Sequence, residues 1–86
     1  MADITIYTTE FCGFCRRAKA LLDGKGADYK EIDVTYDPDM RAEMMARSQG
    51  LRTVPQIFIS GQYVGGCDEL YALEQKGGLD PLLAST

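Results

Sequence analysis

The first half of the chain alternates twice between a strand pattern and a helix pattern, and this order restricts the fold more than any other feature. Apolar and polar residues alternate over Ile4–Tyr7, which predicts a strand. Apolar residues then recur with the helical period over Phe14–Leu22, and Gly24 and Gly26 are typical of a helix end. A second strand is predicted within residues 27–34. Two strands joined through a helix predict a parallel, right-handed crossover.

The second half of the chain adds a helix, a β-hairpin and a further helix. The predicted elements are a helix from Pro38 to just before Gly50, a strand over residues 54–59, a turn at Ser60-Gly61, a strand over residues 62–64 and a helix over residues 67–76. The side chains of Met40, Met44 and Met45 should face the core. A last short helical turn is expected, with Asp80 as its cap and Pro81 as its first residue. The sequence therefore predicts an α/β fold in the order β-α-β-α-β-β-α, a four-stranded mixed sheet with helices on both faces.

Composition limits the size, the partners and the location that we expect. A length of 86 residues predicts a single domain, residues 1–86, with one modest core. The formal net charge is −4 and the basic residues are scattered, so we expect no nucleic-acid partner, because such proteins concentrate positive charge on one face. The first residues do not resemble a signal peptide, and no apolar run approaches the roughly 18 residues of a membrane span. We therefore expect a cytoplasmic protein with no membrane association.

Two cysteines, in Cys12-Gly-Phe-Cys15, lie where the first strand gives way to the first helix. A structural disulfide explains them poorly, because closing so short a loop stabilises a fold by only about 2 kcal/mol. Structural zinc needs four ligands, usually Cys and His, whereas this chain has no histidine and only Cys67 outside the pair. Thiol–disulfide exchange remains as the explanation that fits this position best.

The position of the pair also predicts a role for each sulfur. The nucleophile in thiol–disulfide exchange is a thiolate. Free backbone N–H groups and the positive end of the helix dipole favour a thiolate at a helix start. We therefore expect Cys12 to be the exposed attacking sulfur and Cys15, inside the first turn, to be the shielded resolving sulfur.

Five stretches of the chain resemble the glutaredoxin family, in particular its small bacterial dithiol type. They are "ITIYT", "CGFCRRAKALL", "RTVPQIFI", "VGGCDELYAL" and "GGLDPLL", and together they cover nearly the whole chain. The resemblance implies a thioredoxin-like fold. It also implies an oxidoreductase that uses glutathione as co-substrate to reduce protein disulfides and glutathionylated proteins. The implied partners are glutathione and those oxidised proteins, and the implied state is a monomer.

The same resemblance assigns roles to individual residues. It makes Cys12 the nucleophile that forms a mixed disulfide with glutathione. It makes Cys15 the resolving cysteine, which is needed to reduce protein disulfides but not to reduce glutathionylated proteins. The residues that it places around glutathione are Phe14, Arg52, Thr53, Val54, Pro55, Gly66, Cys67 and Asp68. It implies a cis bond before Pro55, pairing of the Val54 backbone with the cysteinyl part of glutathione, and a γ-glutamyl site at Gly66–Asp68.

Most of these residues also have a simpler structural explanation, which the sequence leaves open. The simpler roles are a core ring for Phe14, a solvated charge for Arg52, a strand-edge proline for Pro55, a flexible connection for Gly66, a small buried apolar side chain for Cys67 and a helix cap for Asp68. Geometry is needed to separate the two explanations at each position.

Three positions depart from the usual pattern of the family. Gly13 and Phe14 stand where most dithiol members have proline and tyrosine, and Thr9 stands where many have lysine. Glutathione is anionic, so the loss of a nearby cation predicts weaker binding, or compensation by another basic residue. The candidates for that compensation are Arg16, Arg17 and Arg52.

Gly13 leaves open an alternative function, because glutaredoxins that lack the proline resemble those that hold a [2Fe–2S] cluster. Such a cluster needs four thiolate ligands. Cys12 from each of two subunits would supply two of them, and two glutathiones would supply the others. The alternative is therefore cluster binding and transfer by a glutathione-bridged dimer. A third alternative is a thioredoxin-like protein that a flavoenzyme reductase recycles without glutathione.

Overall fold

The computed structural model describes residues 2–84, which form four strands and four helices. In chain order these are β1 (Ile4–Thr8), α1 (Gly13–Gly24), β2 (Lys30–Asp33), α2 (Pro38–Arg47), β3 (Gln56–Ile59), β4 (Gln62–Gly65), α3 (Cys67–Gln75) and α4 (Leu79–Ala84). The strands pair in the order β2-β1-β3-β4, parallel between β1 and β2 and antiparallel elsewhere. The predicted order of elements and the mixed sheet are confirmed.

Helices cover both faces of the sheet. Successive side chains of a strand point to opposite sides, and β1 and β3 bury apolar side chains on each side. One face is buried beneath α1, α3 and α4 in a cluster that includes Ile4, Ile6, Ala18, Leu22, Ile57, Ile59, Leu70 and Leu79. The other face carries Tyr7 and Phe58, and α2 covers it through the fully buried Met44. Met40 and Met45 pack against the same cluster. The prediction that α2 packs through its methionines is therefore confirmed.

The third strand begins two residues later than the sequence pattern indicates. The prediction included Val54 and Pro55 in the strand, but β3 starts at Gln56. Proline has no N–H group to donate to a neighbouring strand, so it does not extend the ladder. Both residues instead form the turn that leads into β3, and this leaves their backbone free to face the functional site described below.

The last helix begins two residues earlier than expected, at Leu79 instead of Pro81, and Asp80 does not cap it. Leu79 is fully buried and is the first residue of α4, so Asp80 lies within the first turn and Pro81 follows it. The Asp80 carboxylate lies 2.8 Å from the Lys25 ammonium, which also contacts Glu74 at 2.7 Å. This ion pair ties the start of α4 to the end of α1. No helix among residues 2–84 is long and apolar enough to cross a membrane.

Candidate active site

Cys12 lies at the N-terminus of α1, where the chain leaves β1 at the edge of the sheet. It is the N-cap residue, with an extended backbone, and its Sγ accepts the backbone N–H of Cys15 at 3.0 Å. This bond satisfies one of the N–H groups that a helix start leaves free. The side chain is half-buried, and the first turn of α1 contains no acidic residue. The predicted position of Cys12 at a helix start is confirmed.

Cys15 is the shielded member of the pair, with an exposed fraction of 1%. Burial, and next a hydrogen bond with Cys12, raise the pKa of the Cys15 thiol to about 12. At neutral pH this sulfur therefore carries its proton and is a poor nucleophile. Cys12 is thus the accessible sulfur and Cys15 the buried thiol, as expected from their positions at the start of a helix.

A groove of about 170 Å³ opens beside Cys12, between the turn before β3 and the start of α3. It is lined by Phe14, Thr53, Val54, Pro55, Gly66, Cys67, Asp68 and Glu69. Seven of the eight residues predicted to surround glutathione are in this lining. Residues that are distant in the sequence therefore form one continuous site next to the accessible sulfur.

One wall of the groove is the turn of Thr53, Val54 and Pro55. The Val54–Pro55 peptide bond is cis, as the resemblance implies. The Val54 carbonyl oxygen lies 3.7 Å from Cys12 Sγ and accepts its S–H. The wall therefore places backbone polar groups, rather than side chains, at the entrance to the sulfur.

The opposite wall is the start of α3, whose N-cap residue is Gly66. The carboxylate of Glu69 accepts the Gly66 N–H at 2.7 Å. A Cβ atom at Gly66 would lie 3.2 Å from the carbonyl oxygen of Pro55, so glycine lets the two walls approach each other closely. Glu69 was not among the predicted site residues, although an acidic residue three positions after a cap is the usual signal for this bond.

The remaining predicted residues differ in how closely the structure associates them with the groove. Phe14 is 56% exposed, so the alternative that its ring belongs to the core is wrong. Cys67 is buried, and burial raises the pKa of its thiol, which agrees with a small apolar packing role for its side chain. Arg52 is exposed and lies outside the described lining, and its carbonyl accepts a bond from Arg41. The structure therefore does not bring Arg52 into the groove.

Arg16 and Arg17, the other candidates for a compensating cation, are exposed near the start of α1. The Arg17 guanidinium lies 5.3 Å from the centre of the Tyr71 ring, whose hydroxyl donates to the Arg17 carbonyl at 3.0 Å. This pairing holds Arg17 against α3, and Arg16 lies outside the described lining of the groove.

Comparison with known proteins gives one consistent result. The family model described as Glutaredoxin matches residues 4–64. Glutaredoxin 3 of Escherichia coli (strain K12) is 55% identical over 83 residues, which are 96% of this chain and 99% of that protein.

Two solved structures agree with these sequence matches. The buckwheat glutaredoxin–glutathione complex superposes with a TM-score of 0.85 at 37% identity, over 95% of this chain and 76% of that one. A structure described as "Metal Binding of Glutaredoxins" has a TM-score of 0.75 at 55% identity, over 99% of this chain and 91% of that one. With Cys12 and Cys15 at the start of α1, these matches show that the chain is a thiol–disulfide oxidoreductase that belongs to the glutaredoxin family.

Proposed function

We propose that the protein reduces glutathionylated proteins and protein disulfides, with glutathione as its co-substrate. The observation that carries the proposal is the position of Cys12 Sγ, at a helix start and at the entrance to a groove that exposes backbone polar groups on both walls. A sulfur in that position attacks a disulfide whose glutathione part lies in the groove.

The groove suits a small, extended peptide that carries a carboxylate. The Val54 backbone is available to pair with an extended peptide in the manner of an added strand. The free N–H groups at the start of α3 suit the carboxylate of the γ-glutamyl end. The exposed ring of Phe14 supplies an apolar side to the groove. The bound glutathione in the buckwheat structure supports the same ligand here.

The reaction on a glutathionylated protein needs only Cys12 and one free glutathione, in addition to the glutathione that the substrate carries. The Cys12 thiolate attacks the glutathione sulfur of the mixed disulfide, so a Cys12–glutathione bond forms and the substrate leaves as a thiolate that takes up a proton. A second glutathione thiolate then attacks the bound glutathione sulfur. This releases oxidised glutathione and restores the Cys12 thiolate.

The reaction on a protein disulfide also needs Cys15. Attack by Cys12 opens the substrate disulfide and leaves the protein joined to Cys12. Cys15 then loses its proton and attacks the Cys12 sulfur, which releases the reduced substrate and forms a Cys12–Cys15 disulfide. Two glutathione molecules reduce that disulfide and become oxidised glutathione. We propose that a single domain acts as a monomer in the cytoplasm, because both sulfurs come from one chain and that compartment keeps thiols reduced.

Incubation with oxidised glutathione tests this proposal. In a Cys15→Ser variant, which cannot resolve the adduct, we expect one glutathionyl group per chain, located on Cys12 by peptide mass analysis. Cys67 should remain unmodified, because only 4% of it is exposed. In denaturant, both remaining cysteines should react. A folded protein that takes the group on Cys67, or on neither cysteine, would contradict the proposal.

Cluster binding by a dimer is the second candidate, and the 55% identical structure described as metal binding favours it. Within residues 2–84, no group of three or more His, Cys, Asp or Glu side chains could hold a metal ion, so one chain does not provide a complete site. Two Cys12 thiolates and two glutathiones would provide one. Anaerobic reconstitution with iron, sulfide and glutathione should then give a brown dimer, and Cys12→Ser should stay colourless. A colourless wild-type monomer would exclude this candidate.

A further inference from the structure

Gln56 is a buried polar residue with no role in the mechanism described so far. It is the first residue of β3 and is 2% exposed. Its side-chain Nε2 donates to the carbonyl oxygen of Thr53 at 3.0 Å and to Thr53 Oγ1 at 3.2 Å. Its Oε1 accepts the hydroxyl of Tyr63 at 2.6 Å. One amide therefore joins the turn beside the groove to β4.

The partners of the Gln56 amide allow only one orientation of that group. The Thr53 carbonyl is only an acceptor, so the NH₂ end of the amide must face it. Burial raises the pKa of the Tyr63 hydroxyl, which therefore keeps its proton and donates to Oε1. The Tyr63 ring is itself held against Phe58, with the two ring centres 5.2 Å apart. The Tyr63 hydroxyl is therefore held in place by the packing of its own ring, and it determines which end of the Gln56 amide faces it.

The hydrogen bond from Gln56 to the Thr53 carbonyl also affects the neighbouring Val54 N–H, which lies in the wall of the groove. A peptide unit is planar, so the carbonyl of Thr53 and the N–H of Val54 belong to one rigid plane and point in opposite directions. A bond that holds the carbonyl therefore also sets the direction of the Val54 N–H. The next carbonyl, that of Val54, lies 3.7 Å from Cys12 Sγ.

We propose that Gln56 is a positioning residue for substrate: held by Tyr63, its amide fixes the peptide plane whose Val54 N–H pairs with the glutathione part of the disulfide. This inference rests on the proposed function, since it assumes that glutathione occupies the groove. Gln56 acts through Thr53 and Val54 and touches neither the sulfur nor the substrate. Its loss therefore affects binding more than the chemical step.

The first test replaces Gln56 with methionine, which has a similar size but no amide. For a glutathionylated peptide, we expect KM to rise about tenfold, because the Thr53 carbonyl loses its buried donor, and kcat to change less than about twofold. Tyr63→Phe keeps both bonds to Thr53 and removes only the donor to Oε1, so we expect a rise in KM of about two- to threefold. The double variant should match Gln56→Met, because Tyr63 acts through Gln56.

A matched control separates positioning from loss of stability. Ile59 lies on the same strand, is fully buried and packs on the opposite face of the sheet. Ile59→Ala should therefore lower Tm at least as much as Gln56→Met and leave KM unchanged. A rise in KM in Ile59→Ala equal to that in Gln56→Met would overturn the inference.

A binding measurement without chemistry completes the test. Titration with S-methylglutathione, followed by the Val54 amide signal in NMR, should give a dissociation constant about tenfold weaker in Gln56→Met than in the wild type. Wild-type turnover with an unchanged KM in Gln56→Met overturns the positioning role alone, whereas a wild type that does not use glutathione overturns the proposed function. If Gln56→Met does not fold, Tyr63→Phe decides, and an unchanged KM in that variant overturns the inference.

Discussion

Replacing Cys12 with serine is expected to reduce turnover of a glutathionylated peptide at least about a thousandfold, because a serine hydroxyl is not ionised at neutral pH and is a far weaker nucleophile than a thiolate. Cys15→Ser is the matched control, with the same chemical change three residues away. It should keep turnover of this substrate within a few fold of the wild type, because glutathione itself releases the adduct. A coupled assay that follows oxidised glutathione measures both variants.

The same pair of variants should behave differently with a protein disulfide as substrate. Here Cys15→Ser should stop after one attack and accumulate the protein joined to Cys12, which non-reducing gels detect. Strong turnover of the glutathionylated peptide by Cys12→Ser would contradict the assignment of the nucleophile. Equal losses in Cys15→Ser with both substrates would contradict the assignment of the resolving sulfur.

The environment of Cys15 links the pKa of its thiol to the state of Cys12. Burial is the main cause of its pKa of about 12, but the hydrogen bond and the charge of Cys12 also raise that pKa. When Cys12 is joined to a substrate it no longer carries a charge, so the pKa of Cys15 should fall. Resolution should then accelerate with rising pH for as long as the pH is below that lowered pKa, because the thiolate fraction increases.

The sequence predicts most of the fold because each element has a local pattern of its own. The alternation in β1, the helical period in α1 and the methionines of α2 depend only on neighbouring residues. The errors lie where a tertiary contact sets a boundary. Pro55 is excluded from β3 because strand pairing needs an N–H group, and α4 begins at Leu79, which is buried in the core.

The site was predictable as a set of residues but not as a network. Cys12, Pro55 and Gly66 belong to motifs, so a resemblance between sequences assigns them. The positioning role of Gln56 depends on Tyr63, which lies seven positions away on another strand. It also depends on the orientation of the Gln56 side-chain amide. Residue patterns contain no information on such an orientation. Arg52 shows the opposite case, since its charge is visible in the sequence and its position outside the groove is not.

Gly65 should tolerate a side chain less well than Gly61, because the Glu69 side chain occupies the space beside it. Its φ angle is +121°, and a Cβ atom there would lie 2.8 Å from Glu69 Cγ. Glu69 cannot move away freely, because its carboxylate accepts the Gly66 N–H at 2.7 Å. Gly61 offers the matched comparison, with a φ angle of +78° and no atom within 4 Å of an added Cβ.

Gly65→Ala should therefore lower the free energy of unfolding by about 3 kcal/mol, with about 1 kcal/mol each from backbone strain, from the clash with the Glu69 side chain and from the loss of the Glu69 cap. Gly61→Ala should lower it by about 1 kcal/mol, from backbone strain alone. For a chain of this size these losses correspond to falls in Tm of at least about 12 °C and about 4 °C. Thermal and urea unfolding followed by circular dichroism measure both.

Removing the Glu69 side chain identifies the cause of the difference. Glu69→Ala alone should reduce stability by about 1 kcal/mol, through loss of the cap. In that background the space beside Gly65 is open, so the additional effect of Gly65→Ala should fall to about that of Gly61→Ala, about 1 kcal/mol. If Gly65→Ala has the same effect with and without Glu69, the strain comes from the backbone alone. The wall of the groove would then not depend on contact between these two residues.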